Sequence, residues 1–344
     1  MTGHEISRHC SNLDIQHRLL DLHHNDRMTA KQMIIEYCEK YPNLPTRTMA
    51  KIISDQIGCN YDGARTCIKR HRKTIQQKPT ELQYEDLQKL YKLDSIKIGQ
   101  PDYIFPYKKA LVLSDIHIPF HDYDALMAAI MYGKQQGVDS VYLNGDTLDF
   151  YQASNFTKSG SMMTVREEIA LFHDFINILN DILGVPIVFK VGNHEERMDV
   201  YILRNAPILE EFEEVGLKRL LKLNELGIQF VTGRQKTYMG KLLVVHNHEA
   251  GRVVFAPVNP ARGMFLRYKC DSLGGHHHQS AEHFESNLRG ELIGCFSTGC
   301  LCQMTPEYSP FAFTKWNHGF AIVEIFEDGN YKVENKRIVN GTVY

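Results

Sequence analysis

The sequence predicts an α/β fold preceded by a small all-α domain. Two observations carry this. From residue 107 onward, short apolar runs alternate with amphipathic stretches of helical period, the pattern of strands and helices taking turns. Residues 26–76 show helical periodicity alone, and a proline-punctuated stretch separates the two regions. The expected organisation is a helical module over 1–76, a linker over 77–106 and a large domain over 107–344.

At 344 residues the chain is long enough for one large domain and one small one. The net charge of −2 excludes a chain that binds polyanions over its whole surface, so any such contact has to be local. No apolar run approaches the roughly 20 residues needed to span a bilayer. The start, MTGHEISRHC, lacks the apolar core of a signal peptide, and a cytoplasmic protein without membrane contact is expected. The eight cysteines are scattered, and Cys300 and Cys302 lie too close for a Cys-x-x-Cys pair, so reduced, buried thiols are expected.

Residues 1–25 carry His4, His9, His17, His23 and His24 and read as a loosely ordered or single-helix lead-in. The first helix of the module runs from about Thr29, a fair N-cap, to Tyr41, with Pro42 stopping it. The second follows Pro45 and ends at Gly58, with Met49, Ile52, Ile53 and Ile57 on one face. The third starts near Asn60 and bears Arg65, Lys69, Arg70, Arg72 and Lys73, a local balance of +5 to Lys78. Three short helices with a basic last one resemble a helix-turn-helix module, and those five side chains are the candidates for DNA or RNA contact. The plain alternative is a small bundle with a solvated basic face. A short amphipathic piece around Leu82–Leu93 belongs to the linker.

In the large domain, Ala110–Leu113 reads as a buried strand running into Ser114-Asp115-Ile116-His117. A carboxylate and an imidazole two residues apart on extended backbone point the same way and can grip one ion. A helix over about 124–136 and a strand over 140–144 follow, the strand ending in Gly145-Asp146. After a surface loop at 154–163 comes a helix over 164–183, then a strand entering Gly192-Asn193-His194-Glu195. A long helical region is expected over about 199–226. Strand 241–245 enters His246-Asn247-His248, and a further segment ends in Gly275-His276-His277-His278. The tail, 291–344, reads as antiparallel strands with a hairpin turn at Asp328-Gly329.

Four apolar runs and a fifth segment thus end in metal-type ligands, and α/β sheets gather such strand ends into one site. Mixed oxygen and nitrogen donors suit Mn²⁺, Fe, Zn²⁺ or Ni²⁺, and seven donors exceed one coordination sphere, so two divalent ions are expected.

The order Asp-x-His, Gly-Asp, Gly-Asn-His-Glu, His, Gly-His-x-His resembles the calcineurin-like metallophosphoesterase superfamily over about 110–280. The wider chain is similar to phage-type members, with Gly299-Cys300-Leu301-Cys302 and Trp316-Asn317-His318-Gly319-Phe320 in its tail. A phage-encoded protein would work in the host cytoplasm. The resemblance implies a two-sheet sandwich flanked by helices. It implies that Asp115, His117 and His278 hold one ion, that Asn193, His246 and His276 hold the other, and that Asp146 bridges them. His194 would face the scissile phosphate. Where the family has His-Gly-His this chain has His246-Asn247-His248, which leaves His246 or His248 as the ligand, His246 being nearer the strand end.

The implied activity is a metal-dependent phosphodiesterase or nuclease, with Mn²⁺ the first choice of metal. A hydroxide shared by the ions would attack phosphorus in line while His194 assists the leaving group. Arg197 and His121 are candidates for substrate contact, Arg197 competing with a plain ion pair to a nearby Glu. Asp149 and Glu195 read as groups that orient a ligand histidine. The alternatives are a phosphomonoesterase for a phosphoprotein or small molecule, and an inactive nucleic-acid-binding protein.

Overall fold

A computed structural model describes residues 29–77, 99–154, 163–251, 258–305 and 313–344. The histidine-rich lead-in, the amphipathic piece at 82–93 and nearly all of the loop at 154–163 lie outside the described residues. The chain divides into two compact units, Met1–Lys97 and Ile98–Tyr344.

In the first unit, α1 (Ala30–Lys40) starts at a capping box: Gln32 N donates to Thr29 Oγ1 and Thr29 N donates to Gln32 Oε1. Helix α2 (Thr46–Ile57) follows Pro45 and ends on Gly58 in the left-handed region. Helix α3 spans Tyr61–Gln77. Ile34, Tyr37, Met49, Ile53 and Ile68 close one small core among the three. On α3, Lys69, Arg70 and Lys73 are exposed, and Arg65 lies 3.8 Å from Asp62. Arg72 is turned inward: its guanidinium donates to Leu44 O at 2.6 Å and Thr46 Oγ1 at 3.1 Å, tying α3 to the loop before α2.

The second unit is a sandwich of two mixed sheets. Its elements in chain order are β1 (Tyr103–Ile104), β2 (Lys109–Leu113), α4 (Tyr123–Gln135), β3 (Ser140–Asn144), α5 (Val165–Leu183), β4 (Ile187–Lys190), α6 (Glu196–Asn205), α7 (Leu217–Leu220), β5 (Gln229–Val231), β6 (Thr237–Met239) and β7 (Leu242–Val245). There follow α8 (Pro260–Tyr268), β8 (Ser272–Gly274), β9 (Ala281–Ser286), β10 (Leu292–Ser297), β11 (His318–Ile325), β12 (Tyr331–Val339) and β13 (Thr342–Val343). One sheet has the order β13-β12-β11-β2-β3-β4-β5, the other β1-β6-β7-β8-β10-β9. Strands β2, β3, β4 and β5 are mutually parallel, so their carboxyl ends leave the sheet on one side.

Strand alternation builds two cores at once. Leu111, Leu113, Val141, Leu143 and Phe189 face helices α4 and α5, where they meet Ala129, Ile130, Phe172 and Ile176. Ala110, Val112, Tyr142 and Val188 face the other sheet and meet Leu242, Val244, Leu273 and Phe296. With both faces covered, the strands read as unbroken apolar runs. Helix α8 covers the outside of the second sheet through Met264 and Phe265 against Ile293 and Cys295. The hairpin at Asp328-Gly329 joins β11 to β12, with Gly329 N donating to Phe326 O and φ +77° at Gly329.

The continuous helical stretch expected over 199–226 is broken. Helix α6 stops at Asn205, two 3₁₀ turns follow at Pro207–Glu211 and Glu213–Val215, and α7 begins after Gly216. Pro207 has no N–H to continue α6, and Gly216 adopts extended backbone at ψ 141°. No residue of α6 is fully buried and Met198 alone of its residues packs on the main core, too little to override those breaks.

Candidate metal centre

Every strand-end motif emerges on the same rim. After β2, Asp115 and His117 take left-handed backbone (φ 57° and 52°) with Ile116 buried between them, not the extended backbone expected from their spacing. The turn is held by the neighbouring loop: Asp115 N donates to Gly145 O, and His117 N to Asp146 O at 2.9 Å. Asp146, His276 and His278 are also left-handed, at φ 51°, 69° and 57°. Such conformations cost non-glycine residues on the order of 1–3 kcal/mol each, and here they aim side chains that straight strands would send elsewhere.

Two glycines show why the motifs have their shape. A Cβ on Gly145 (φ +84°) would stand 2.6 Å from His246 Nδ1 and 2.9 Å from Gly192 Cα. A Cβ on Gly192 would collide with Asp146 Oδ1 and with its backbone nitrogen. Only glycine at these two positions lets the loops after β3, β4 and β7 come this close.

Six of the seven residues gather into overlapping groups, and Asn193 lines the same cavity as His117, Asp146, His276 and His278. Asp115, His117 and Asp146 bring one donor atom each within 4.8 Å of one another, and so do Asp146, His246 and His276. His278 Nε2 is 3.2 Å from both Asp115 Oδ1 and His117 Nε2. Asp146 Oδ2 lies between the two groups, 3.1 Å from His246 Nε2 and 3.8 Å from His117 Nε2. His246 Nδ1 is bonded to Asn144 O at 2.7 Å, which fixes the ring and leaves Nε2 facing Asp146. His248 points elsewhere, to Glu196 Oε1 at 3.2 Å, so the geometry brings His246 into the cluster and not His248.

The donors fit cations. Asn193 Oδ1 is buried and has no hydrogen-bond partner among the described residues. An orphaned buried polar atom costs about 1–3 kcal/mol, which a bound ion removes. Burial drives the Asp115 carboxyl up, yet the imidazoles of His278 and His246 outweigh it and hold it at about 2. Burial likewise lowers His246 and His278, and the facing carboxylates more than reverse this, to about 10 in each. His276 goes the other way, to about 3, through burial and the neighbouring His246. Protons on imidazoles thus stand in for the positive charge that the two buried carboxylates demand.

His194 sits beside this cluster. Its Nδ1 is 3.1 Å from Asp149 Oδ2 and its Nε2 is 3.7 Å from Asp146 Oδ2 and 2.8 Å from Arg197 Nη2. Arg197 also donates to Asp149 O at 2.8 Å and pairs with its carboxylate at 3.4 Å, so its partner is Asp149 and not a glutamate. Asp149 lies 3.7 Å from His117 Nδ1 as well; burial opposes its ionisation, but the two imidazoles keep it well below the usual carboxylate range. His121 is not brought to the metal centre: it lines an apolar cavity with Ile118, Tyr123 and Phe175.

Glu195 does something its motif position did not suggest. Among the described residues it touches no histidine; it accepts four backbone N–H groups, from Thr147 (2.7 Å) and Leu148 (3.0 Å) on Oε1 and from Asp146 (3.0 Å) and Gly192 (2.8 Å) on Oε2. One fully buried carboxylate therefore staples the β3 loop to the β4 loop. A second staple is Lys190, fully buried, 3.0 Å from Glu249, whose oxygens accept the N–H of His246 and Asn247. Asn247 (φ +87°) occupies the backbone conformation for which glycine is favoured and adds a cross-link, donating to Gly275 O and accepting from Tyr268 Oη. Cys302 Sγ stands 3.8 Å from His278 Nδ1, on the wall of a cavity that His117, Asp146, His276 and His278 also line. Lys190 inside an apolar run was a visible signal of a buried charge; the thiol had none.

A model of the calcineurin-like phosphoesterase family matches residues 108–280. Gene 54 proteins of Mycobacterium phages L5 and D29 are each 27% identical to this chain over 68% of its length and 95% of theirs. Among solved structures, vacuolar protein sorting 29 from Cryptosporidium parvum aligns with 69% of this chain and 95% of its own, at 12% identity and a TM-score of 0.38. A dimetal phosphatase from Danio rerio aligns with 68% of this chain and 98% of its own, at 12% identity and a TM-score of 0.36.

Proposed function

The chain belongs to the calcineurin-like phosphoesterase family and is a metal-dependent phosphoric ester hydrolase; from that premise we propose that its substrate is a phosphodiester of the nucleotide or nucleic-acid class. The observation that carries the diester reading is a pair of cavities that share Asn193. One, of about 140 Å³, lies over His117, Asp146, His276 and His278. The other, of about 260 Å³, runs along α6 past Arg197 and Tyr201. A phosphate seated between them has room for an ester group on each side, whereas a monoester needs one.

In this reading Asp115, His117 and His278 hold one divalent ion, Asn193, His246 and His276 hold the other, and Asp146 serves both. Such ions, Mn²⁺ foremost, lower the pKa of water and offset phosphoryl charge. Asp149 accepts from His194 Nδ1 and Arg197 donates to Nε2, so the ring is held at the cluster with Nε2 as acceptor; Nε2 serves the leaving oxygen as a proton donor only after it exchanges the Arg197 hydrogen bond for a proton. Arg197, beside Nε2, adds fixed positive charge at the same spot. Asp149 orients both His117 and His194. The exposed Lys69, Arg70 and Lys73 of α3 support contact with DNA or RNA by the first unit.

The test is hydrolysis of bis-p-nitrophenyl phosphate against p-nitrophenyl phosphate by metal-stripped protein given Mn²⁺, with His194→Asn as control. The diester should be preferred, and the variant should lose about 10²–10⁴-fold in turnover while keeping its metal. Preference for the monoester overturns the diester reading.

A further inference from the structure

The cavity over the metal ligands has an aromatic side that ligand chemistry does not call for. Phe120 and Tyr151 meet edge to face, with ring centroids 6.2 Å apart at 71°. Trp316, the single tryptophan of the chain, lies 4.1 Å from the His278 ring. All three line the same space as His117, Asp146 and His276. Phe120 and Trp316 are half-buried, so each keeps ring surface open.

These rings are held firmly. Asn317 N, next to Trp316, donates to His278 O at 2.9 Å, and Gln303 N donates to Phe120 O at 2.8 Å. The aromatic wall is thereby anchored to the ligand loops by backbone hydrogen bonds, which fixes its distance from a phosphate on those loops. Rings set in place beforehand bind a flat group with little loss of entropy. Gln303 and Thr305 stand exposed on the same wall, an amide and a hydroxyl beside the rings. A nucleobase has hydrogen-bonding groups around its edge that such side chains can meet; a plain phenyl ring has none.

We propose that Phe120 and Trp316, with the buried Tyr151 packed edge-on against Phe120 as its support, form a subsite that stacks the base of a nucleoside phosphate whose phosphate lies at the metal centre, with Gln303 and Thr305 at the base edge. The proposal rests on the nucleotide part of the preceding reading and assigns it a place in this chain.

Trp316 reports on the subsite directly. Adenosine 5′-monophosphate is titrated into the Mn²⁺-loaded full chain while the tryptophan emission is followed, and methyl phosphate is then used to displace it. Saturable quenching is expected, with displacement needing about tenfold or more methyl phosphate over the nucleotide, the scale of one base–aromatic stack. Phe120→Leu should shrink that ratio several-fold; a ratio is read because damage to the metal centre would weaken both phosphates alike. Absence of quenching, equal potency of the two phosphates, or an unchanged ratio in Phe120→Leu overturns the subsite. So does quenching by phenyl phosphate at the same midpoint as the nucleotide, which would mark a site for phosphotyrosine-like esters. Monoester preference in the preceding assay together with intact quenching sinks the diester reading alone; diester preference without quenching sinks the subsite alone.

Discussion

Glu195→Gln removes one oxygen from the staple and keeps its volume. In the native chain each oxygen accepts two N–H groups, and all four donors belong to loops that carry Asp146 and Asn193. A glutamine can leave its oxygen toward one pair, but its NH₂ then faces the other pair, donor against donor. Two buried N–H groups at about 1–3 kcal/mol each give a loss of roughly 2–6 kcal/mol. That is a large share of the ~5–15 kcal/mol that keeps a typical domain folded. The assay is urea unfolding of chelator-treated protein, so that metal affinity does not enter, with metal content measured separately after reloading. The midpoint should fall at an unchanged slope, and the reloaded variant should hold less metal because either orientation of the amide frees N–H groups at or next to Asp146. A variant within about 0.5 kcal/mol of the parent, the range of ordinary surface changes, with full metal content, would refute the staple.

Three further outcomes are expected. Gly192→Ala puts a methyl group against Asp146 Oδ1, so metal content measured by atomic emission should drop although the chain still folds. Glu168 is buried and accepts the N–H of Phe150 at 2.7 Å; burial, with Asp149 and Glu195 adding to it, pushes its carboxyl up to about 8. Its folded value lies above its unfolded value, so the folded state binds the extra proton and stability should fall as pH rises from about 4.5 to 8, by up to about 1.4 kcal/mol per unit. Glu168→Gln should flatten that slope in unfolding experiments at several pH values; an unchanged slope refutes the assignment. Reversing the charges of Lys69, Arg70 and Lys73 together should weaken DNA binding and lower its salt dependence, read by fluorescence anisotropy, while hydrolysis of a small diester stays as it was.

The strands of the parallel sheet were legible because both their faces are covered, which writes them as runs such as Ala110–Leu113 and Ser140–Leu143. The motifs at their ends were legible because ligand chemistry restricts residue type and strand ends restrict position. Strands β5 and β6, three residues each, carry too little period to be seen. The break at Pro207 was visible but lost to the amphipathic pattern around it. The bonds of Glu195 to the β3 loop go with left-handed backbone at Gly145 and Asp146, and no spacing rule encodes that. Phe120, Tyr151 and Trp316 come from three separate segments, so only the folded chain puts them on one wall.

The backbone bonds between the tail and the ligand loops bear on where this chain can be cut. The family match ends at residue 280, and a truncation there would keep all seven candidate ligands. It would also strip the partners from the carbonyls of Asp115 and His278, which receive Leu301 N at 3.0 Å and Asn317 N at 2.9 Å, and remove β11 from the flank of β2. The smallest expressible catalytic unit therefore reaches through the closing strands, and a fragment trimmed to the shared motifs would be a set of ligands without a frame.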